Sequence, residues 1–422
     1  MTSEAFVYLM PPGTTEFVAA GRFVLAATRT GVPFGRFVYG RSYLERNDAV
    51  PLDPIELPLS ERTYRTERLK GLFGALRDSG PDYWGRRVIE KYCGIGQSGE
   101  LDYLLHSPDD RAGALGFGIQ REPPAPSRTY NSTADLARLQ TLADRLIAQE
   151  SADAPASELT QVQDFLLLGT SMGGARPKAV VEDDGHLWVA KFNRQDDQIN
   201  YARVEHAMLV LGRECGIATA ESRIAQIGGR DVLLVKRFDR MPAEKGGYRR
   251  ARMLSALTLL RTGDSPQDRD RWSYVLLVEE LRRISREPVE DAAELFRRMT
   301  FNALISNTDD HPRNHAVIAV NQDFRLSPAY DLVPFQHVSV ERRDLALTIG
   351  DYGRYANAVN VLSQAPRFLL QREEAARIVD QMEACVSARW YAVARREGVN
   401  EKDCAGISRS FAYEGFRYPP GR

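Results

Sequence analysis

The 422-residue sequence predicts an α+β fold, a strand-rich first half followed by a mainly helical second half. Three observations carry that prediction. Short β-branched and aromatic runs between Pro and Gly turns fill the first hundred residues and recur between 178 and 236. Amphipathic stretches of helical period dominate beyond about residue 240. One helix then stops at NTDDHPRNH (307–315), where acids, amides and imidazoles crowd together. A chain of this length calls for two or three structural units. Its 43% hydrophobic and 27% charged residues suit ordinary cores. A formal net charge of −1 argues against binding to nucleic acid through bulk positive potential and leaves only a local basic patch open. No apolar run reaches the roughly 18–20 residues that cross a bilayer, and MTSEAFVYLMPPGTTEF lacks the basic and apolar regions of a secretion signal. Cys93, Cys215, Cys385 and Cys404 are scattered without a CxxC pair, so neither zinc nor a disulfide framework is indicated. A cytoplasmic chain without membrane contact is expected.

In chain order, FVYLM, a PPG turn and EFVAAGRFVLAA read as paired strands, and GRFVYGRSYLERNDAVPLDPIELPL is punctuated by proline. RLKGLFGALRDSGPDYWGRRVIEKY is helical on either side of a turn. REPPAPSRTYNST (121–133) is a surface connection, because its prolines remove backbone donors. A second unit starts near residue 159 with a glycine-rich turn and a hairpin, 179–181 and 187–192 joined at Asp183, Asp184 and Gly185. INYARVEHAMLVLGRECGI is a helix ended at Cys215-Gly216, and DVLLVKRFDR is a buried strand. WSYVLLVEELRRIS and VEDAAELFRRMTFNALISN follow as amphipathic helices, the second with Ala292, Leu295, Phe296, Met299 and Ala303 in one stripe. HAVIAV and FRLSPAYD form a hairpin ending at Asp331. The remainder is helical with a polar tail.

Two chemistries compete for the acidic loop. His311 and His315 are four apart, but Pro312 lies between them and His106, His186, His206 and His337 form no second cluster, which disfavours a transition metal. Phosphoryl transfer needs a carboxylate near the accepting hydroxyl, oxygen ligands for magnesium and a cation on the nucleotide phosphates. Asp309 and Asn314 have the Asp-x-x-x-x-Asn spacing of a kinase catalytic loop, and Asp331 ends the following hairpin where a kinase keeps a second metal ligand. Upstream, Lys191 lies on the strand after the glycine-rich turn and Glu205 on the next helix. Glycine-rich turn, strand lysine, helix glutamate, linker strand, catalytic loop and metal aspartate is the kinase order.

The chain resembles the HipA family of serine/threonine kinase toxins. SMGGARPK (171–178), LWVAKF (187–192), KRFDR (236–240), ISNTDDHPRNHAV (305–317) and LSPAYDLVP (326–334) carry the resemblance, and GRFVYGRSYLERNDAVPLDP extends it to the amino-terminal region. It implies a two-lobed protein-kinase-like fold, HipA-like, with a mixed α/β N-terminal subdomain (1–120), a kinase N-lobe holding the glycine-rich loop (121–235) and a mainly helical C-lobe (236–422). ATP and Mg2+ are the implied cofactors. By motif, Asp309 would be the catalytic base, Asn314 and Asp331 the magnesium ligands, and Lys191 the partner of the nucleotide phosphates. The backbone of Lys236, Arg237 and Phe238 would face adenine. The turn with Gly173, Gly174, Ala175 and Lys178 would cover the phosphates, His311 is grouped with the nucleotide-binding residues, and Ser171 matches a serine that the family autophosphorylates. A protein substrate is implied, possibly of the translation apparatus such as an aminoacyl-tRNA synthetase. So is a helix-turn-helix antitoxin partner, with DNA reached only through that partner.

The match is not uniform. The turn is not GxGxxG; Gly169 and Gly174 have P-loop spacing, but Ala175 stands where that motif requires lysine. Asn-Thr precedes the aspartate instead of His-Arg, and Leu-Val follows Asp331 instead of Phe-Gly. Asp-x-His-x-x-Asn is shared with phosphoinositide kinases, so a lipid kinase is one alternative. A catalytically silent nucleotide-binding regulator is another, and a metal hydrolase a third. Taken alone, Lys191 and Glu205 read as solvated side chains, Asp310 as a polar neighbour, His311 as a holder of the loop backbone and KGGYRRARM (245–253) as a solvated basic loop.

Overall fold

Five short runs near the N-terminus form one antiparallel sheet: β1 (Glu4–Leu9), β2 (Val18–Ala27), β3 (Pro33–Tyr39), β4 (Tyr64–Thr66) and β5 (Leu115–Gly118), in the order β4-β3-β2-β1-β5. This computed structural model describes residues 3–92, 99–127, 129–150, 176–336 and 338–419. Side chains alternate across a strand, and the register places Ala5, Phe23, Phe37 and Tyr64 side by side on one buried face. Burial of Phe23 and Phe37 contributes roughly 1.5–3 kcal/mol each. Gly35 is required by close approach, since a Cβ there would lie 2.0 Å from the Gly71 carbonyl oxygen.

A second sheet contains β6 (Asn131–Ser132), β7 (Lys178–Asp183), β8 (His186–Phe192) and the strand Arg230–Lys236 in that order. The β7–β8 turn has positive φ at both Asp184 (48°) and Gly185 (70°), as a two-residue hairpin demands. β6 runs parallel to β7, so the expected surface connection of 121–133 ends in a strand. These sheets belong to one compact unit, Met1–Gln195 with Ile227–Leu254 and Ile318–Gln322.

The other unit, Asp196–Gln226, Ser255–Val317 and Asp323–Arg422, is mainly helical. Its helices include Tyr201–Glu214, Tyr274–Ile284, Pro288–Leu304 and Arg372–Arg396. Asn200 and Ser273 cap two of them by accepting from Arg203 N and Leu276 N. The helix Tyr201–Glu214 stops at Cys215 and Gly216, the latter at φ 85°, as its sequence predicts. The expected stripe Ala292, Leu295, Phe296, Met299 and Ala303 is fully buried. The chain's end is not the polar tail that its composition suggests: Phe411, Tyr413 and Phe416 are buried, and Ala412 N donates to Leu304 O. That contact ties the tail to the end of the helix that leads into the acidic loop. Among the described residues, no helix is long and apolar enough to cross a membrane.

Candidate active site

The helix Pro288–Leu304 ends because the chain turns left-handed at Ser306, φ 56°. Ser306 is held there by Arg343, whose guanidinium donates to its Oγ and to the Ser410 and Arg409 carbonyls and lies 4.0 Å from the Tyr413 ring centroid. Burial lowers the Arg343 pKa to about 10. The loop that follows closes on itself: His311 N donates to Asp309 O (2.8 Å), Asn314 N to His311 O (2.9 Å) and Asn314 Nδ2 to Asp309 O (3.4 Å). Pro312–Asn314 is a 3-10 turn with proline at its start.

Adjacent aspartates therefore have different surroundings. Asp309 opens to solvent, whereas Asp310 is buried and accepts from Tyr274 Oη and His315 Nε2 (3.0 Å). Asp310 is thus a polar neighbour of Asp309, but a buried one. Desolvation by the loop walls raises the Asp309 pKa most, and the charges of Asp331 and Asp310 add to it; His311 and Arg269 oppose the shift. Asp331 thereby lies within electrostatic reach of Asp309. Two further bonds join their loops, Tyr330 Oη to Arg313 O (2.7 Å) and Asn307 Nδ2 to Asp331 O (3.3 Å). Asp331 itself has φ 61°. Asp309, His311, Asn314 and Asp331, recognised in the sequence, are gathered in one place.

Lys178 and Lys191 are direct cross-strand partners on β7 and β8, with Leu233 opposite Lys191 on the next strand. Lys191 is half-buried. Lys178 is fully buried and its Nζ lies 2.5 Å from Asp82 Oδ2, an ion pair the sequence did not disclose. Asp82 also opens the helix Tyr83–Tyr92 by accepting from Gly85 N (2.7 Å). Glu205, expected to be solvated, is 6% exposed, on a helix packed against Arg372–Arg396.

The KRFDR segment has a structural use as well. Arg237 N donates to Leu187 O (2.8 Å), so that amide is engaged in the sheet. The Arg237 and Arg240 guanidiniums bind Asp239 (2.8 and 2.7 Å) and the carbonyls of Asp110, Arg111 and Gly113. Burial opposes the Asp239 charge, yet Arg237 and Arg240 outweigh it and hold its carboxyl far below the usual range. Lys236 stands opposite Trp188 across the sheet. The basic run 245–253 is not a solvated loop either. Arg250 pairs with Asp109 (2.8 Å) and lies over Phe17, and Arg252 donates to the carbonyls of Pro51, Asn321 and Gln322. Buried arginines in and after KRFDR need acids or carbonyls, and the Asp109-Asp110 doublet was a signal that could have pointed to them. Ser171, Gly173, Gly174 and Ala175 lie outside the described residues.

The donor set also fits what phosphoryl transfer requires. Asp331 and Asn314 offer hard oxygen ligands beside the Asp309 carboxylate, a combination that suits Mg2+ more than a thiophilic metal. His315 is committed to Asp310 through Nε2, and the buried His311 Nδ1 has no partner among the described residues.

Fold and site together define a two-lobed, kinase-like protein. The HipA-like C-terminal domain model matches residues 170–390 and the HipA N-terminal domain model residues 18–118, so the chain belongs to the HipA family. A relative in Sinorhizobium fredii named "Putative kinase Y4mE" is 25% identical over 319 residues, covering 70% of this chain and 71% of its own length. Among solved structures, the toxin–antitoxin complex of HipA, HipB and operator DNA from Shewanella oneidensis MR-1 contains a chain of the same fold. It aligns with a TM-score of 0.65 at 16% identity, covering 96% of this chain and 94% of that one. The Helicobacter pylori proinflammatory kinase CtkA aligns at TM-score 0.37 and 13% identity over 54% of this chain and 94% of its own.

Proposed function

We propose that the chain is an ATP- and Mg2+-dependent serine/threonine protein kinase of the HipA type. The observation that supports this most is the clustering of Asp309, Asn314 and Asp331 by bonds between their two loops. In this reading Asp309 accepts the proton of a substrate hydroxyl and orients its oxygen for in-line attack. The raised Asp309 pKa makes it a better proton acceptor than an ordinary surface carboxylate. Asn314 and Asp331 hold the metal, which neutralises charge on the transferring phosphoryl group. Lys191 binds phosphate oxygens, and the Lys236–Phe238 backbone faces adenine through groups other than the Arg237 amide. The turn bearing Gly173, Gly174 and Ala175 covers the phosphates, and Lys178, at the start of the strand that follows, is charge-balanced by Asp82. His311 is grouped with the nucleotide-binding residues by its place in the same loop.

The finer parts of the reading follow the relatives. A protein of the translation apparatus is the proposed substrate class, and Ser171 the autophosphorylation site, where a phosphate would add roughly −1.5 to −2 charge beside the nucleotide. A small DNA-binding antitoxin is the proposed partner, by likeness to the Shewanella complex.

Incubation with labelled ATP and Mg2+, followed by phosphosite mapping, tests the proposal. Transfer is expected in the parent and is expected to fall by about 10²–10⁴-fold in Asp309→Asn, with nucleotide affinity by calorimetry unchanged. Equal rates in the two proteins would remove Asp309 from the chemistry. Nucleotide binding without any transfer would mark the chain as a silent regulator.

A further inference from the structure

Neither Asp309 nor Asp331 lies on a helix or strand, yet transfer chemistry needs them fixed to within a fraction of an ångström. Asp331 is in addition held at a φ that non-glycine residues rarely adopt, so its surroundings must impose that geometry. A chain of buried side chains does so. Asn307 Nδ2 donates to the Asp331 carbonyl (3.3 Å) and to Asn302 Oδ1 (3.1 Å). Asn302 Nδ2 donates to Tyr274 Oη (3.1 Å), and Tyr274 Oη donates to Asp310, the neighbour of Asp309. His315 meets Asp310 from the other side and packs edge-on against the Tyr274 ring. Asp310, Tyr274, Asn302, Asn307 and His315 are each at most 3% exposed. Tyr274 and Asn302 come from two helices, Tyr274–Ile284 and Pro288–Leu304, so the chain of bonds is anchored in regular structure at its centre. Burial, and then the Asp310 charge, keeps the Tyr274 phenol protonated, which makes its direction of donation permanent.

We propose that Asn307 is a positioning residue for Asp331, and that Tyr274 and Asn302 are the rigid support through which the metal-holding loop is registered to the loop of the base. The inference rests on the reading of Asp331 as a metal ligand. Asn307 has no reason to touch the metal or the nucleotide. Its effect passes through the backbone carbonyl of Asp331, which sets the direction in which that carboxylate leaves the chain. The functional unit of the acidic loop therefore begins at Asn307, two residues before the base.

The test reads metal binding directly. Mn2+ is titrated into the full chain with ADP and the free ion is followed by electron paramagnetic resonance, for the parent, Asn307→Ala, Tyr274→Phe and Asp331→Asn. Thermal melts accompany each titration. Asn307→Ala is expected to weaken Mn2+ binding by about 10- to 100-fold, the range for residues that orient a ligand from behind. Tyr274→Phe, which keeps the ring and folds more readily, is expected to weaken it in the same direction by a smaller factor. ADP affinity without metal stays at the parent value in both. Parent-like Mn2+ binding in Asn307→Ala and Tyr274→Phe, whatever their melting temperatures, overturns the inference when Asp331→Asn does lose the ion. Parent-like binding in Asp331→Asn overturns the metal reading beneath it, and the inference with it.

Discussion

At the scale of single residues, neighbours in sequence separate by environment. Asp309 and Asp310 are chemically identical and adjacent, yet one opens to solvent beside Asp331 and the other is buried under Tyr274 and His315. The acidic loop announced itself by composition, and the Asp309–Asn314 spacing singled out the proposed base and the proposed ligand. Which of the two aspartates faces inward was not legible, because no local rule distinguishes them. Asp53 makes the same point away from the site. It is completely buried, its Oδ1 accepts from Ile55 N and Glu56 N, and its Oδ2 has no partner. Burial raises its pKa to about 7. A raised carboxyl favours the folded state while protonated, so its stabilisation is complete below the unfolded value of about 3.9 and is lost as pH rises toward about 7. Asp53→Asn cannot ionise. Urea melts should show the variant gaining on the parent between pH 4 and 7, by at most about 1.4 kcal/mol per pH unit. A pH-independent difference would mean that Asp53 ionises in the folded parent at the same pH as in the unfolded chain, so that burial does not raise its pKa.

At the scale of elements, periodicity located most pieces. The buried stripe of Pro288–Leu304, the β7–β8 hairpin and the stop at Gly216 follow from local spacing and turn chemistry. Charge was harder to place, since a basic run reads as solvated until its acids are known. Arg237, Arg240, Arg250 and Arg252 are all buried, against carboxylates or carbonyls more than 60 residues distant or against Asp239 beside them. Asp239 is the centre of that cluster, bound by two guanidiniums and by Gly113 N (2.9 Å). Asp239→Asn leaves both arginines buried without their counter-charge and should cost about 3–5 kcal/mol in urea unfolding. A loss below about 1 kcal/mol, the worth of a surface pair, would show that water reaches the cluster.

At the scale of the whole molecule, charge and family meet. With a net charge of −1, the chain alone should bind duplex DNA no tighter than the roughly 10⁻⁴–10⁻⁶ M of non-specific association at physiological salt, by fluorescence anisotropy. Nanomolar binding by the isolated chain would contradict the proposal that DNA is reached through a partner. The sequence by itself determined the α+β class and the order of the motifs, and singled out Asp309, Asn314, Asp331 and Lys191 as candidates, because these depend on local period and on residue types at fixed spacing. Only the tertiary structure decided that Lys178 is balanced by Asp82, that the C-terminal tail packs against the end of Pro288–Leu304, and that Asn307, Asn302 and Tyr274 link the two loops. Those are long-range hydrogen bonds and ion pairs made in the absence of water. Burial gives them their strength, and burial is a property of the packed chain that no short stretch of residues contains.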